Sequence, residues 1–185
     1  MAAVESSPTS TLSLAQLREA LWVDREQHVY ALVVASKVPG LRVRLSQGGV
    51  DDWDGLWTGE LDAEERAAAP VLVTLRRESL FTDWLLGEAA ASFGGWGAVA
   101  QSRSTFLAMR THCRALCRAQ LPNGQSIRID WMDPELMEAL LPAAAPDQVE
   151  RVYAGFETLL TLAADRWTRW SVSGARLVRQ TTGVV

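Results

Sequence analysis

The sequence contains little histidine and little cysteine. Its 185 residues include 2 histidines and 2 cysteines, which is too few for most zinc sites and for a disulfide framework. Cys113 and Cys117 share the apolar side of one predicted helix, and this favours buried, reduced thiols in a reducing compartment. His112 is rotated from Cys113 by roughly a third of a helical turn, and no fourth ligand lies nearby in the sequence. We therefore predict neither a metal site nor a cofactor.

Long apolar runs are also missing. The first ten residues, MAAVESSPTS, have neither the basic start nor the apolar core of a signal peptide, and no run approaches the ~20 apolar residues that span a bilayer. The formal net charge is −4, with 18 basic and 22 acidic side chains. This net negative charge gives no reason to expect nucleic acid or an anionic membrane as a partner. We expect a soluble, cytoplasmic protein.

The sequence lacks the common catalytic motifs. No Gly-x-Ser-x-Gly elbow or other positioned nucleophile accompanies His112. The glycines of residues 94–97 lack the spacing of a phosphate-binding loop, and they precede a predicted strand instead of opening a helix. We predict no catalytic residue. The alternative left open is a small enzyme or ligand-binding domain that uses His112, Arg114 and Asp133.

What the sequence does contain is an alternation of short apolar runs and amphipathic segments. The length suits one compact domain with a sizeable core. Residues 29–35, 70–75 and 96–101 are apolar runs of strand length in β-helix-β order. We predict an α/β fold with a mixed β-sheet, built from these three strands and a later β-hairpin, flanked by helices.

Residues 106–118 predict an amphipathic helix with a polar stripe. Apolar side chains recur at helical spacing on one side, while Arg110, Arg114 and Arg118 follow one another on a different face. The stripe is a solvated face, a set of internal pairs with Asp130, Asp133 and Glu135, or part of a binding surface. The sequence leaves these interpretations open.

The next segment predicts a hairpin followed by a capped helix. Asn-Gly is the strongest short-range hairpin signal, and the alternation over residues 127–132 is typical of a half-buried strand. An Asp-Pro pair then supplies a cap and a pre-set φ for the following helix. We assign structural roles in this region to His112, Asn123, Gly124, Asp133 and Pro134.

The two ends of the chain predict less regular structure. Residues 1–12 are small and polar, and we expect them to be disordered. Residues 13–142 are expected to form the α/β domain. Residues 143–185 are expected to form a short helical lobe packed on it, because apolar residues recur at helical spacing from residue 149 to residue 163. The tail from residue 171 could add a strand or remain loose.

These motifs, in this order, resemble domain-of-unknown-function family 4123 (DUF4123). The resemblance rests on Met-Arg-Thr-His-Cys-Arg at residues 109–114, Leu-Pro-Asn-Gly at 121–124 and Trp-Met-Asp-Pro at 131–134, with three strand-like segments upstream. It covers roughly residues 29–142. It also implies a helix over residues 41–45, although Leu41, Val43 and Leu45 alternate as they would in a strand.

The resemblance implies a non-catalytic adaptor or chaperone. Such a protein would bind a type VI secretion effector in the cytoplasm, stabilise it and help to load it onto the VgrG spike. A structural component of the secretion apparatus is a further possibility.

Tryptophan and arginine are the residue types from which we choose candidate partner contacts. An acidic belt over residues 51–65 surrounds two of the tryptophans, and it is either a solvated loop or a contact for a basic partner segment. We place the main patch on the C-terminal helix, with the arginine stripe or the acidic belt setting orientation. The candidate contacts are Trp167, Trp170, Phe156, Arg110, Arg114, Arg118, Trp53 and Trp57.

Overall fold

An eight-stranded β-sheet organises the computed structural model, which describes residues 4–47, 49–163, 166–174 and 176–184. Its strands are β1 (Val4–Leu12), β2 (His28–Val33), β3 (Trp53–Gly55), β4 (Val71–Leu75), β5 (Gly97–Ser102), β8 (Thr158–Ala163), β9 (Arg166–Ser173) and β10 (Arg176–Val184), while β6 (Arg118–Gln120) and β7 (Ser126–Arg128) form a separate hairpin. The order across the sheet is β1-β10-β9-β8-β5-β2-β4-β3. Every neighbouring pair is antiparallel except β1 and β10, which are parallel.

Helices cover both faces of this sheet. They are α1 (Leu14–Leu21), α2 (Leu41–Gln47), α3 (Ala63–Ala68), α4 (Leu80–Trp84), α5 (Ala90–Phe93), α6 (Phe106–Leu116), α7 (Pro134–Ala143) and α8 (Pro146–Tyr153). A π-helical stretch, Leu85–Ala89, joins α4 to α5. The predicted class, a mixed α/β sheet flanked by helices, is confirmed.

Alternating side chains of the central strands divide the core into two parts. Along β2, Val29 and Ala31 point into one core, whereas Tyr30 and Leu32 point into the other. Such a strand is buried on both faces, which is why it appears in the sequence as a continuous apolar run. The first core is closed by α1, α2 and the α4–α5 region, and the second by α6, α7 and α8.

The ambiguous segment around residue 43 is a helix. Leu41 and Leu45 are buried one helical turn apart in the first core, while Val43 is exposed. An alternation over five residues is too short to distinguish the two periods, and the packing of two leucines on one side decides in favour of the helix.

The C-terminal region is the main departure from the sequence prediction. The expected helix ends at Tyr153, and β8, β9 and β10 follow it, so the described residues after Tyr153 form strands instead of a helical lobe. Leu159 lies in one core and Leu160 in the other. A short run of apolar residues fits a buried helix and a doubly buried strand equally well. Residues 158–163 form a strand because they pair with β5, and the local periodicity does not show this.

The N-terminal segment and the hairpin also differ in detail from expectation. Residues 4–12, which we expected to be disordered, pair with β10 as β1. The predicted hairpin is present, and Gly124 has the positive φ of 83° that its turn requires. Its second strand ends at Arg128 instead of continuing to Trp131, which is buried in the second core.

Within the described ranges, no helix combines the length and the apolar character that crossing a membrane would require.

Candidate partner-binding surface

Three of the predicted partner contacts belong to the core. Trp167, Trp170 and Phe156 are 5%, 0% and 6% exposed, so the prediction that they face a partner is wrong. Trp167 packs in the first core and Trp170 in the second, because odd and even positions of β9 point to opposite faces. The Trp170 indole N–H donates to Thr161 Oγ1 at 3.3 Å. Trp170, which we expected at the end of a helix, lies near the middle of strand β9.

Arg110 and Arg114 of α6 converge on one carboxylate. Arg110 Nη1 lies 2.7 Å and Arg114 Nη2 lies 2.9 Å from Asp54 Oδ2. Arg114 also donates to the carbonyl oxygen of Gly55, from Nη2 at 2.8 Å and from Nε at 3.2 Å. One turn of helical spacing therefore places two guanidinium groups on the same edge strand, β3.

Arg118 and Arg128 hold the segment that follows β3. Arg118 Nη2 donates to Thr58 Oγ1 at 2.7 Å. Arg128 of the hairpin donates to Glu65 Oε1 at 2.7 Å, and its guanidinium lies 5.5 Å from the ring centre of Trp57. The arginine stripe thus pairs with residues far away in the sequence and not with the nearby carboxylates considered above.

A further arginine approaches β3 from the opposite helical layer. Arg42 of α2 lies 5.8 Å from the ring centre of Trp53. Trp53 packs partly against the first core and Trp57 partly against the second. Arginines of both layers therefore surround the β3 edge. We call this region the arginine–tryptophan surface, and its members are Arg42, Trp53, Trp57, Arg110, Arg114, Arg118 and Arg128.

The β3 edge is partly closed by Arg114. In the ladder with β4, Thr74 N donates to Asp52 O and Leu56 N to Pro70 O. Backbone groups alternate in direction along an antiparallel strand. The N–H and C=O groups of residues 53 and 55 therefore point to the free edge of β3. Arg114 occupies the Gly55 carbonyl there. A three-residue strand whose outward carbonyl is already bonded is a poor template for another strand.

Positive charge exceeds negative charge on this surface. Asp54 is shared by two arginines, and Glu65 is bonded to Arg128. Burial lowers the pKa of Arg42, neighbouring Arg66 lowers it further, and Asp54 counteracts both. Burial is therefore the main cause of the lowered pKa of Arg42, and repulsion between Arg42 and Arg66 adds to it.

The predicted acidic belt does not form one continuous patch. Asp51 pairs with Arg76, and Asp62 caps α3 by accepting from Glu65 N. Asp54 and Glu65 are bonded to arginines of the surface just described. The belt's carboxylates are therefore divided among internal pairs, a helix cap and solvent.

The residues of the alternative ligand site have separate partners. His112 Nε2 lies 2.9 Å from the carbonyl oxygen of Val152, and its ring packs edge-on against Phe156. Arg114 is bonded to β3 as described. Asp133 caps α7 by accepting from Glu135 N at 3.0 Å and pairs with Lys37 at 2.6 Å. The structural role that we predicted for Asp133 is the one observed.

The two thiols face a low-polarity environment. Burial raises the pKa of Cys117 to about 12, and it raises the pKa of Cys113 well above its ordinary value. Cys113 Sγ contacts Met109 Sδ at 3.6 Å inside α6. Among the described residues, His, Cys, Asp and Glu side chains nowhere gather in a group of three that could hold a metal ion.

The glycine-rich segment before β5 serves backbone packing. A Cβ at Gly97 would lie 1.9 Å from the carbonyl oxygen of Leu32 on β2. Gly94 and Gly95 have φ values of 45° and 46°, in the left-handed region that favours glycine. The motif therefore makes a tight turn and then lets β5 approach β2 closely.

Comparison with known protein families assigns most of the chain to a family. A family model described as a domain of unknown function, DUF4123, matches residues 29–151, well over half of the chain. This segment runs from β2 to α8 and includes the whole arginine–tryptophan surface. No curated protein and no solved structure matches the chain.

Proposed function

The chain belongs to the DUF4123 family, and from this premise we propose that it is a non-catalytic adaptor that binds a type VI secretion effector, stabilises it in the cytoplasm and helps to load it onto the VgrG spike. The secretion role comes from the family resemblance described above. The part of the proposal that concerns binding is supported by the arginine–tryptophan surface.

The observation that carries the proposal is the way this surface is held. Arginine and tryptophan dominate the energetics of protein interfaces. Arg110 and Arg114 keep 28% and 29% of their side-chain surface exposed while Asp54 holds both in place. Side chains that are already ordered lose less conformational entropy when a partner binds. The surface therefore combines the residue types and the preorganisation that a binding site needs.

The charge of the surface indicates the kind of segment that it would bind. Three of the five arginines pair with Asp54 or Glu65, whereas the whole chain carries a net charge of −4. A local positive region on a negative protein orients an approaching partner. We propose an effector segment with acidic side chains near an aromatic or aliphatic anchor, so that carboxylates meet the arginines and the anchor packs beside Trp57.

Charge reversal on this surface tests the proposal. The tagged chain would be co-expressed with the proteins encoded beside it, purified by affinity and analysed by mass spectrometry. We expect one stoichiometric partner that becomes insoluble when the chain is omitted. Arg118→Glu should reduce its recovery about tenfold, which corresponds to ~1.4 kcal/mol of binding free energy.

A matched control distinguishes a local effect from one of net charge. Arg103→Glu makes the same change in charge at an arginine that pairs with Asp24 and Glu26, outside this surface, and it should leave recovery unchanged. If both variants lose the partner equally, the surface is not the binding site. If the wild-type chain captures no partner and changes no protein's solubility, the adaptor function itself is wrong.

A further inference from the structure

Among the described residues, the long edge of the sheet is covered by the N-terminal segment alone. β10 pairs with β9 on one side and with β1 on the other, and β1 ends the sheet in the described part of the chain. Strand β10 runs over nine residues, whereas β3 at the opposite edge has three. An open strand of this length is a ready template for pairing with another chain. The segment that covers β10 therefore decides whether another chain can pair with it.

The pairing between β1 and β10 is imperfect. Ser7 faces Gln180 and Ser10 faces Thr182, so three steps along β1 match two steps along β10. Pro8 lies inside this irregularity, and proline has no backbone N–H to give to a ladder. Bulged ladders leave some backbone groups of the edge without a strand partner. A continuous strand without proline would pair more completely with the same edge.

The N-terminal cap of α1 is independent of β1, so separation of β1 from β10 would leave the helix folded. Ser13 follows β1 directly and caps α1, with Gln16 N donating to Ser13 Oγ at 3.3 Å and Ser13 N donating to Gln16 Oε1 at 2.8 Å. This reciprocal capping box needs nothing from β1. Leu17 and Leu21 anchor the helix in the first core. Helix α1 is therefore capped and anchored by its own residues, and it does not depend on the pairing of β1.

We propose that the edge of β10 is a docking site for an extended segment of the partner protein, and that β1 covers this edge until that segment pairs with it. The incoming segment lacks proline over its paired residues and adds a regular strand, so backbone hydrogen bonds supply the affinity. Gln180 is exposed and faces Arg169 in the ladder with β9, so side chains of the segment on that face are polar. This inference rests on the proposed adaptor function for the identity of the partner.

A reversible lock on β1 tests the inference in the full-length chain. Ser7→Cys together with Gln180→Cys joins two residues that face each other across β1 and β10. The control, Ser171→Cys with Val178→Cys, joins β9 to β10, a pair that the proposal leaves intact. The native Cys113 and Cys117 are buried and take no part. Each variant is compared in its oxidised and reduced forms.

The first probe is a labelled synthetic peptide with the sequence of residues 1–13 and Pro8 replaced by threonine. We expect the reduced lock variant to bind it and the oxidised variant to bind it at least tenfold more weakly, with no difference between the two forms of the control. A full-length Pro8→Thr variant should also bind the peptide more weakly, because its own β1 pairs better. Equal binding by the oxidised and reduced lock variants would overturn the inference.

The second probe is the co-expressed partner captured from cells. Oxidation of the lock should reduce its capture, because only the arginine–tryptophan surface then holds the partner, and reductant should restore full capture. Capture that is insensitive to the lock places the partner elsewhere and refutes this inference while the adaptor function stands. An interchain disulfide between two copies of the lock variant assigns the edge to a second copy and also refutes it. If no protein is captured by any variant, the adaptor function fails, and the peptide alone decides whether the edge accepts a strand.

Discussion

Asp54 and Arg114, 60 residues apart in the chain, are joined by a hydrogen bond of 2.9 Å between Oδ2 and Nη2. The same guanidinium holds the outward carbonyl of Gly55. One side chain of α6 therefore fixes the position of the β3 edge and, with it, the two tryptophans on either side.

Arg114→Met should loosen this edge. Methionine keeps most of the aliphatic stem but removes the fork that bonds Asp54 and Gly55, and the partly exposed site limits the loss of unfolding free energy to about 1 kcal/mol. Amide hydrogen exchange over residues 53–58 should become faster. Arg118→Met, which removes the bond to the Thr58 hydroxyl, should change stability by less than about 0.5 kcal/mol. Equal effects of the two variants would show that the Asp54 contact is not special.

Trp170→Ala should destabilise the whole fold. The side chain is fully buried and its indole N–H is bonded to Thr161, so the change should lower the free energy of unfolding by about 3–5 kcal/mol in a urea titration. Trp57→Ala, at a half-buried position of the proposed binding surface, should cost much less and chiefly weaken partner capture. A stable, well-folded Trp170→Ala protein would contradict the assignment of this residue to the core.

Gly155→Ala should disturb His112. A Cβ at residue 155 would lie 2.8 Å from His112 Cδ2, and the ring would have to move away from the Val152 carbonyl that it contacts. We expect a loss of about 1–3 kcal/mol in unfolding free energy. The substitution should cost less in a His112→Ala background, where the obstructing ring is gone. Additive effects in this double-mutant cycle would refute the steric explanation.

Asp130→Asn should stabilise the protein at neutral pH. Burial raises the pKa of the Asp130 carboxyl above its ordinary value of 3.8, Asp133 raises it further, and Trp57 and Lys37 counteract the rise. At pH values between the unfolded and folded pKa of Asp130, the folded state binds more protons than the unfolded state. The contribution of this carboxyl to the free energy of unfolding is therefore lost as pH increases through that window. The variant should therefore gain stability relative to the wild type above the window, and the gain should vanish below about pH 4.

Denaturant titrations at several pH values would measure this difference. The exposed Glu60 supplies the control, and Glu60→Gln should show no comparable dependence on pH. A stability difference between Asp130→Asn and the wild type that stays constant down to pH 3 would contradict the assignment.

Local patterns were enough for the elements whose burial is uniform. The apolar runs predicted β2, β4 and β5 to within two residues, because strands buried on both faces need continuous apolar sequence. Capping chemistry was equally local. Asp133 and the Asn-Gly turn perform the roles predicted for them, since both act within a few residues of their own positions.

Three of the predicted partner contacts are buried, and a partner-binding role for the others stays a prediction. Arg110, Arg114, Trp53 and Trp57 are partly exposed, and the structure brings them together at one sheet edge. Trp170 is buried because a strand, not a helix, contains it. No periodicity shows that Asp54 will meet α6, since that contact depends on how the sheet orders its strands.

The sequence by itself determined the class of fold, the central strands, the caps and the apolar faces, because each depends on short-range chemistry and on side-chain period. Only the tertiary structure decided that β8, β9 and β10 extend the sheet, that β1 covers its edge, and which carboxylates the arginines meet. Those outcomes depend on hydrogen-bonding and packing partners distant in the sequence, which a local pattern does not specify.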